Sequence, residues 1–118
     1  MNTETLHCLI DIKYNLNACY QHMLLLLQQR LGQSIECRKK LMSEAMRLDM
    51  LIISIEDMEI DRELNFITDQ LISINAEVIR LKRTLQTESN ISSAVNVASS
   101  IVGIATNFLG IIRVPVSI

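Results

Sequence analysis

The side chains with the widest chemical reach are the two histidines and three cysteines, His7, Cys8, Cys19, His22 and Cys37. Cys19 and His22 stand three residues apart, so on a helix they share a face and can offer two ligands to a transition metal. Cys8 lies eleven residues before Cys19, about 16 Å along a helix axis, too far to join them. Two ligands make half a site. The reading is therefore buried or edge thiols and a surface imidazole, with no metal bound. Cys37 follows a helix start beside Arg38, Lys39 and Lys40, a setting in which a thiol gains reactivity. No glycine-rich phosphate loop, nucleophile elbow, zinc-protease pair or calcium-loop spacing is present. The acidic residues Glu56, Asp57, Glu59, Asp61 and Glu63 point around a helix instead of converging. The expectation is a non-enzymatic protein without a cofactor.

The elements that carry these residues follow from composition. Of 118 residues, 49% are hydrophobic but only 3% aromatic, with no Trp, three Gly and one Pro, so the apolar content is aliphatic and turn-formers are scarce. That excludes strand-and-turn architectures and aromatic platforms for single-stranded nucleic acid, and it predicts an all-α fold. Net charge is −2. Two short basic clusters, Arg38-Lys39-Lys40 and Arg80 with Lys82 and Arg83, read as solvated helix faces, and no nucleic-acid partner is expected. An odd cysteine count argues against a disulfide framework. With no signal-peptide pattern ahead of Lys13, the expected location is cytoplasmic, with membrane association as the alternative.

Three helices and a tail are predicted within one domain spanning 1–118. Helix one, over about 4–31, begins at Thr3 as N-cap with Glu4 in its first turn, and Gly32 closes it. Its stripe is Leu9, Ile12, Leu16, Cys19, Met23 and Leu26. Over about 35–87 no glycine or proline intervenes. A strict heptad runs through Met46, Met50, Ile53, Asp57, Ile60, Leu64, Ile67, Leu71, Ile74, Val78, Leu81 and Leu85, which predicts one long coiled-coil-like helix. A break near Ser54 to Asp57 is the alternative. Asp57 would meet its own copy in a parallel in-register dimer, so that pairing is disfavoured. An antiparallel hairpin pivoting near Gln33 instead brings Asp57 within a turn of Lys13. Lys13 and Asp57 then form a structural pair, or else are two exposed side chains. Met42, Met46 and Met50 share a helix face, either filling gaps against helix one or forming a soft surface for a partner.

The last helix, over about 91–112, is capped by Ser89 or Asn90 and carries no charge over Ile91 to Ile112. Its apolar residues include Val95, Val97, Ile101, Val102, Ile104, Phe108, Leu109, Ile111 and Ile112. A narrow stripe on the same helix is small or polar: Ser93, Asn96, Ser100, Gly103, Asn107 and Gly110. Residues 113–118 form an apolar tail. The last helix is long enough to cross a bilayer. A helix apolar around most of its circumference must be central in a bundle, shared between subunits, or in lipid. From Val97 to Leu109 the composition resembles α-helical pore-forming toxins and the apolipoprotein L group, and that likeness implies bilayer insertion.

The expected architecture is an elongated antiparallel helical hairpin or bundle, with helix one folded on the first half of the long helix and the last helix on its second half. Such an arrangement is too thin to bury its own stripes, so a second copy or a protein partner should complete it. The expected function is an oligomerising interaction module, such as a scaffold, adaptor or immunity-type inhibitor. The alternative is a membrane-active or tail-anchored protein that uses residues 91–112.

Overall fold

A computed structural model describes residues 3–29, 34–57 and 68–113. These residues form four helices and no strand: α1 (Thr3–Gln28), α2 (Ile35–Asp57), α3 (Thr68–Thr87) and α4 (Ile91–Arg113). The protein is an all-helical, compact four-helix bundle. Its starts are set locally. The Ser34 hydroxyl accepts from the Cys37 amide at 3.0 Å, and the Asn90 side chain accepts from the Ser92 amide at 2.8 Å, each satisfying a donor that a first helical turn leaves open. At the α1–α2 turn the Arg38 guanidinium donates to the Gln29 carbonyl at 3.1 Å.

Each helix buries one stripe at three- and four-residue spacing. In α1 it is Leu9, Ile12, Leu16, Cys19, Met23, Leu26 and Leu27, in α2 Leu41, Ala45, Leu48, Ile52 and Ile55, and in α3 Leu71, Ile74, Val78, Leu81 and Leu85. In α4 the buried residues are Ala94, Ala98, Ile101, Val102, Ala105, Phe108 and Leu109. These stripes meet in one aliphatic core.

The order of helices around the core is α1, α2, α4, α3. Adjacent corners pack closely, whereas α2 and α3 lie across a diagonal and scarcely meet. Two polar contacts fix the direction of α1 against α3. The hydroxyls of Thr5 and Thr68 are 2.6 Å apart near the two helix starts, and the Lys82 ammonium donates to the Asn15 side-chain oxygen at 2.7 Å further along. The two helices are therefore parallel. The short connections make α2 antiparallel to α1 and α4 antiparallel to α3, so the bundle mixes parallel and antiparallel neighbours.

This architecture departs from the single long helix expected over 35–87. Such a helix would be about 80 Å long, yet the extents are 53 × 21 × 16 Å, and α2 and α3 occupy opposite corners. The physical reason lies in the phases of the two buried stripes. Stepping alternately by four and three from Ile55 does not arrive at Leu71 and Ile74; the frames differ by two residues. No single straight seam can present both to one core. Gly32, the stretch from Met58 to Ile67, and residues 114–118 of the tail lie outside the described residues.

Asn15 is only 7% exposed, and its amide oxygen is the acceptor for a half-buried ammonium. Lys82 thus belongs to the α1–α3 seam and departs from the solvated basic face expected of it. Replacing Asn15 by Ala should lower the unfolding free energy by about 1.5 to 3 kcal/mol, the usual loss when a charged hydrogen-bond partner is left unmet. Urea denaturation followed by circular dichroism measures it, and an unchanged midpoint would show that the contact does not hold the seam.

Candidate interaction surface

The structure separates the residues that the sequence grouped as one seam. Leu71, Ile74, Val78, Leu81 and Leu85 are buried inside the bundle. Met46, Met50 and Ile53 are 63%, 69% and 49% exposed, on the outside of α2. Ile60, Leu64 and Ile67 lie outside the described residues. The heptad frame that threads the α3 core, traced back into α2, therefore runs along the solvent face, while the inner face has its own frame through Leu41, Ala45, Leu48, Ile52 and Ile55. Met42, also exposed, widens the outer stripe. Met42, Met46 and Met50 do not fill gaps against α1.

A second exposed apolar stripe lies on α1: Leu6, Ile10 and Tyr14, at four-residue spacing. Helix phase places it beside the first. On α1 the side turned to α3 is marked by Asn15, and Leu6 lies about half a turn away from it, toward the α2 corner. On α2 the side turned to α1 is marked by Arg38, and Met42 and Ile53 lie within about 60° of that direction. The two stripes accordingly share the outer face of the α1–α2 layer. Seven large apolar side chains between 44% and 72% exposed amount to on the order of 800 Å², more than the largest apolar patch of an ordinary soluble monomer.

Lys13 is half-buried and Asp57 exposed, and no ion pair joins them. The antiparallel packing explains this: in α2 it is the exposed end residue, past the level at which Lys13 stands. Short-range ion pairs within helices join Lys40 with Glu36, Arg47 with Glu44 and Arg80 with Glu77. The hydrogen bond from Arg80 holds the Glu77 carboxyl below the usual carboxylate range.

On α4 the apolar residues divide by depth. Ile101, Val102, Phe108 and Leu109 are buried, and Val95, Val97, Ile104, Ile111 and Ile112 are half-buried at the flanks. Of the small or polar stripe, Ser93 is half-buried, while Asn96, Ser100, Gly103, Asn107 and Gly110 face outward. Ser100 and Thr106 return their hydroxyls to carbonyls of their own helix. A β-carbon added at Gly103 or Gly110 would meet nothing within 4 Å. Between α3 and α4 a cleft of about 350 Å³ is lined by Gln70, Ser73, Ile74, Asn107 and Ile111. It holds no titratable side chain.

The cysteines and histidines do not converge; among the described residues no group of three His, Cys, Asp or Glu side chains is placed to hold a metal ion. Cys19 is buried, and burial pushes its thiol up to about 12. Cys8 is half-buried, its thiol raised by burial and by Glu4 and Asp11. Comparison with protein-family models, with curated proteins and with solved structures found no match.

Two outcomes follow from these environments. Thiolate is the form that alkylates, so at pH 8 iodoacetamide should modify half-buried Cys37 well before Cys19, whose modification should await unfolding. Peptide mass spectrometry over time reads the order, and early labelling of Cys19 would contradict its burial. Gly103→Ala should stabilise the protein by about 0.5 to 1 kcal/mol, because it relieves the entropic cost of glycine inside a helix without filling occupied space. A lower thermal midpoint would show that something covers that face.

Proposed function

We propose that this protein is a non-enzymatic helical interaction module whose working surface is the outer face of the α1–α2 layer. The observation that carries this reading is the exposed Met46, Met50 and Ile53 stripe beside Leu6, Ile10 and Tyr14. Methionine is unbranched and polarisable, so a surface of this kind repacks around a partner's apolar side chains at small cost. The inner frame of α2 already supplies its share of the bundle core, so the outer heptad frame is surplus to folding. A coiled-coil-like contact through that frame, with oligomerisation or capture of a protein partner, is the role it suits as scaffold, adaptor or inhibitor.

A second reading assigns the chain to a membrane. Ile91–Ile112 is long and apolar enough to cross a bilayer, and only 33% of that stretch is buried within the bundle. Insertion would require α4 to leave the core, exposing the apolar stripes of α2 and α3 that it covers, and it would carry Asn96 and Asn107 into hydrocarbon. The α1–α2 surface needs no such rearrangement, and we favour it. A cytoplasmic setting accords with either reading.

Photo-methionine incorporated in expressing cells separates the two. Illumination should give protein adducts at Met42, Met46 and Met50. Adducts to lipid, or none at these positions while other methionines react, would overturn the interaction-module reading.

A further inference from the structure

The outer frame of α2 carries more than apolar residues. Lys39 stands seven residues before Met46, and Asp57 seven residues after Met50, so both prolong the exposed stripe along the same face. Both are exposed. The stripe therefore reads as a basic end, an apolar middle and an acidic end, with Lys39 and Asp57 about 27 Å apart.

We infer that a second copy of this chain occupies the α1–α2 outer face, with the two α2 helices antiparallel about a two-fold axis at the level of Leu48. The proposal rests on the interaction-module reading and names its occupant. The face is self-complementary. Residue 48 is the midpoint between Lys39 and Asp57, and it is also the midpoint between Met46 and Met50. One axis thus sets Met46 against the partner's Met50 and, in the same register, Lys39 against the partner's Asp57. Symmetry repeats each contact, giving two methionine layers at the centre and an opposite-charge pair at either end.

The alternatives are distinguishable on charge. A parallel pairing in register sets Lys39 against the partner's Lys39 and Asp57 against the partner's Asp57, two repulsive contacts where the antiparallel arrangement has two attractive ones. Shifting the antiparallel register by one turn separates the charged ends from each other while the methionines still meet, so the charges select the register and the apolar middle supplies the affinity. The extent also fits. With Leu6, Ile10 and Tyr14 flanking the α2 stripe, the face offers on the order of 800 Å², close to what one partner contributes to a stable interface. Bundles that pair through one layer bury that layer and leave the opposite side, here α3 and α4, free.

Sedimentation velocity on the full chain, from low micromolar to millimolar concentration, tests this. A monomer–dimer equilibrium is expected. Met46→Glu with Met50→Glu should raise the dissociation constant by about a hundredfold or more, with helical content unchanged by circular dichroism because both positions are exposed. Lys39→Glu alone and Asp57→Lys alone should each weaken association about tenfold, and the two together should restore it to within about threefold of the unmodified chain. A chain monomeric throughout overturns the proposal. So does a dimer indifferent to the methionine changes, or a double charge reversal that fails to restore affinity. If the purified chain is monomeric while photo-methionine at Met46 and Met50 still captures another protein, self-pairing falls and the interaction-module reading stands. Lipid adducts would remove both.

Discussion

The bundle depends on α4 bridging two helices that do not touch. Because α2 and α3 lie across a diagonal, their buried stripes can be covered only by α1 on one side and α4 on the other. Three alanines, Ala94, Ala98 and Ala105, occupy the middle of the buried face of α4, and side chains this small leave room for its backbone to approach its neighbours. Phe108 and Ile101 fill the remaining width. With so few aromatics in the chain, close approach of small residues replaces bulk as the means of leaving no void. A chain lacking α4 would uncover the sides of both stripes that α1 does not reach.

Much of this was legible in the residues. The α1 stripe, the charge-free α4, the Asn90 cap and the α3 positions from Leu71 to Leu85 all follow from spacing and side-chain type, and together they specify an all-helical bundle. The division of the middle segment was legible only as an alternative, a break near Ser54 to Asp57, and the face that α2 turns to the core was not. Two heptad frames run through α2, and both are apolar: Leu41, Ala45, Leu48, Ile52 and Ile55 on one face, Met42, Met46, Met50 and Ile53 on another. Periodicity alone cannot say which faces the core, and continuity with α3 favoured the wrong one. Between residues 41 and 57 the outer frame carries one charge, Asp57, and the inner frame none, and that difference could have decided the matter. The candidate surface was half legible for the same reason: the shared face of Met42, Met46 and Met50 fits a soft surface or a gap-filling role equally well by spacing, and only their exposure decides between them.

Polar residues in the interior were equally hard to place from sequence. Asn15 stands between Tyr14 and Leu16 and Lys82 among basic neighbours, and neither local pattern indicates the other. Their contact spans the two halves of the chain. Aliphatic ridges pack almost equally well after sliding by one turn, whereas a slide would leave the Lys82 ammonium against hydrocarbon. Together with the Thr5 and Thr68 hydroxyls, this contact defines where α3 stops along α1.

The charges of this protein are unevenly distributed around its long axis. Three corners of the bundle carry ionised side chains, and the fourth, α4, carries none from Ile91 to Ile112. An approaching body on the α2 side meets a field that dissolved ions weaken over a Debye length of about 8 Å at physiological ionic strength. One arriving at α4 meets hydroxyls, amides and bare backbone, which neither attract nor repel at a distance. The molecule thus has one side whose encounters are tuned by ionic strength and another that is electrically silent.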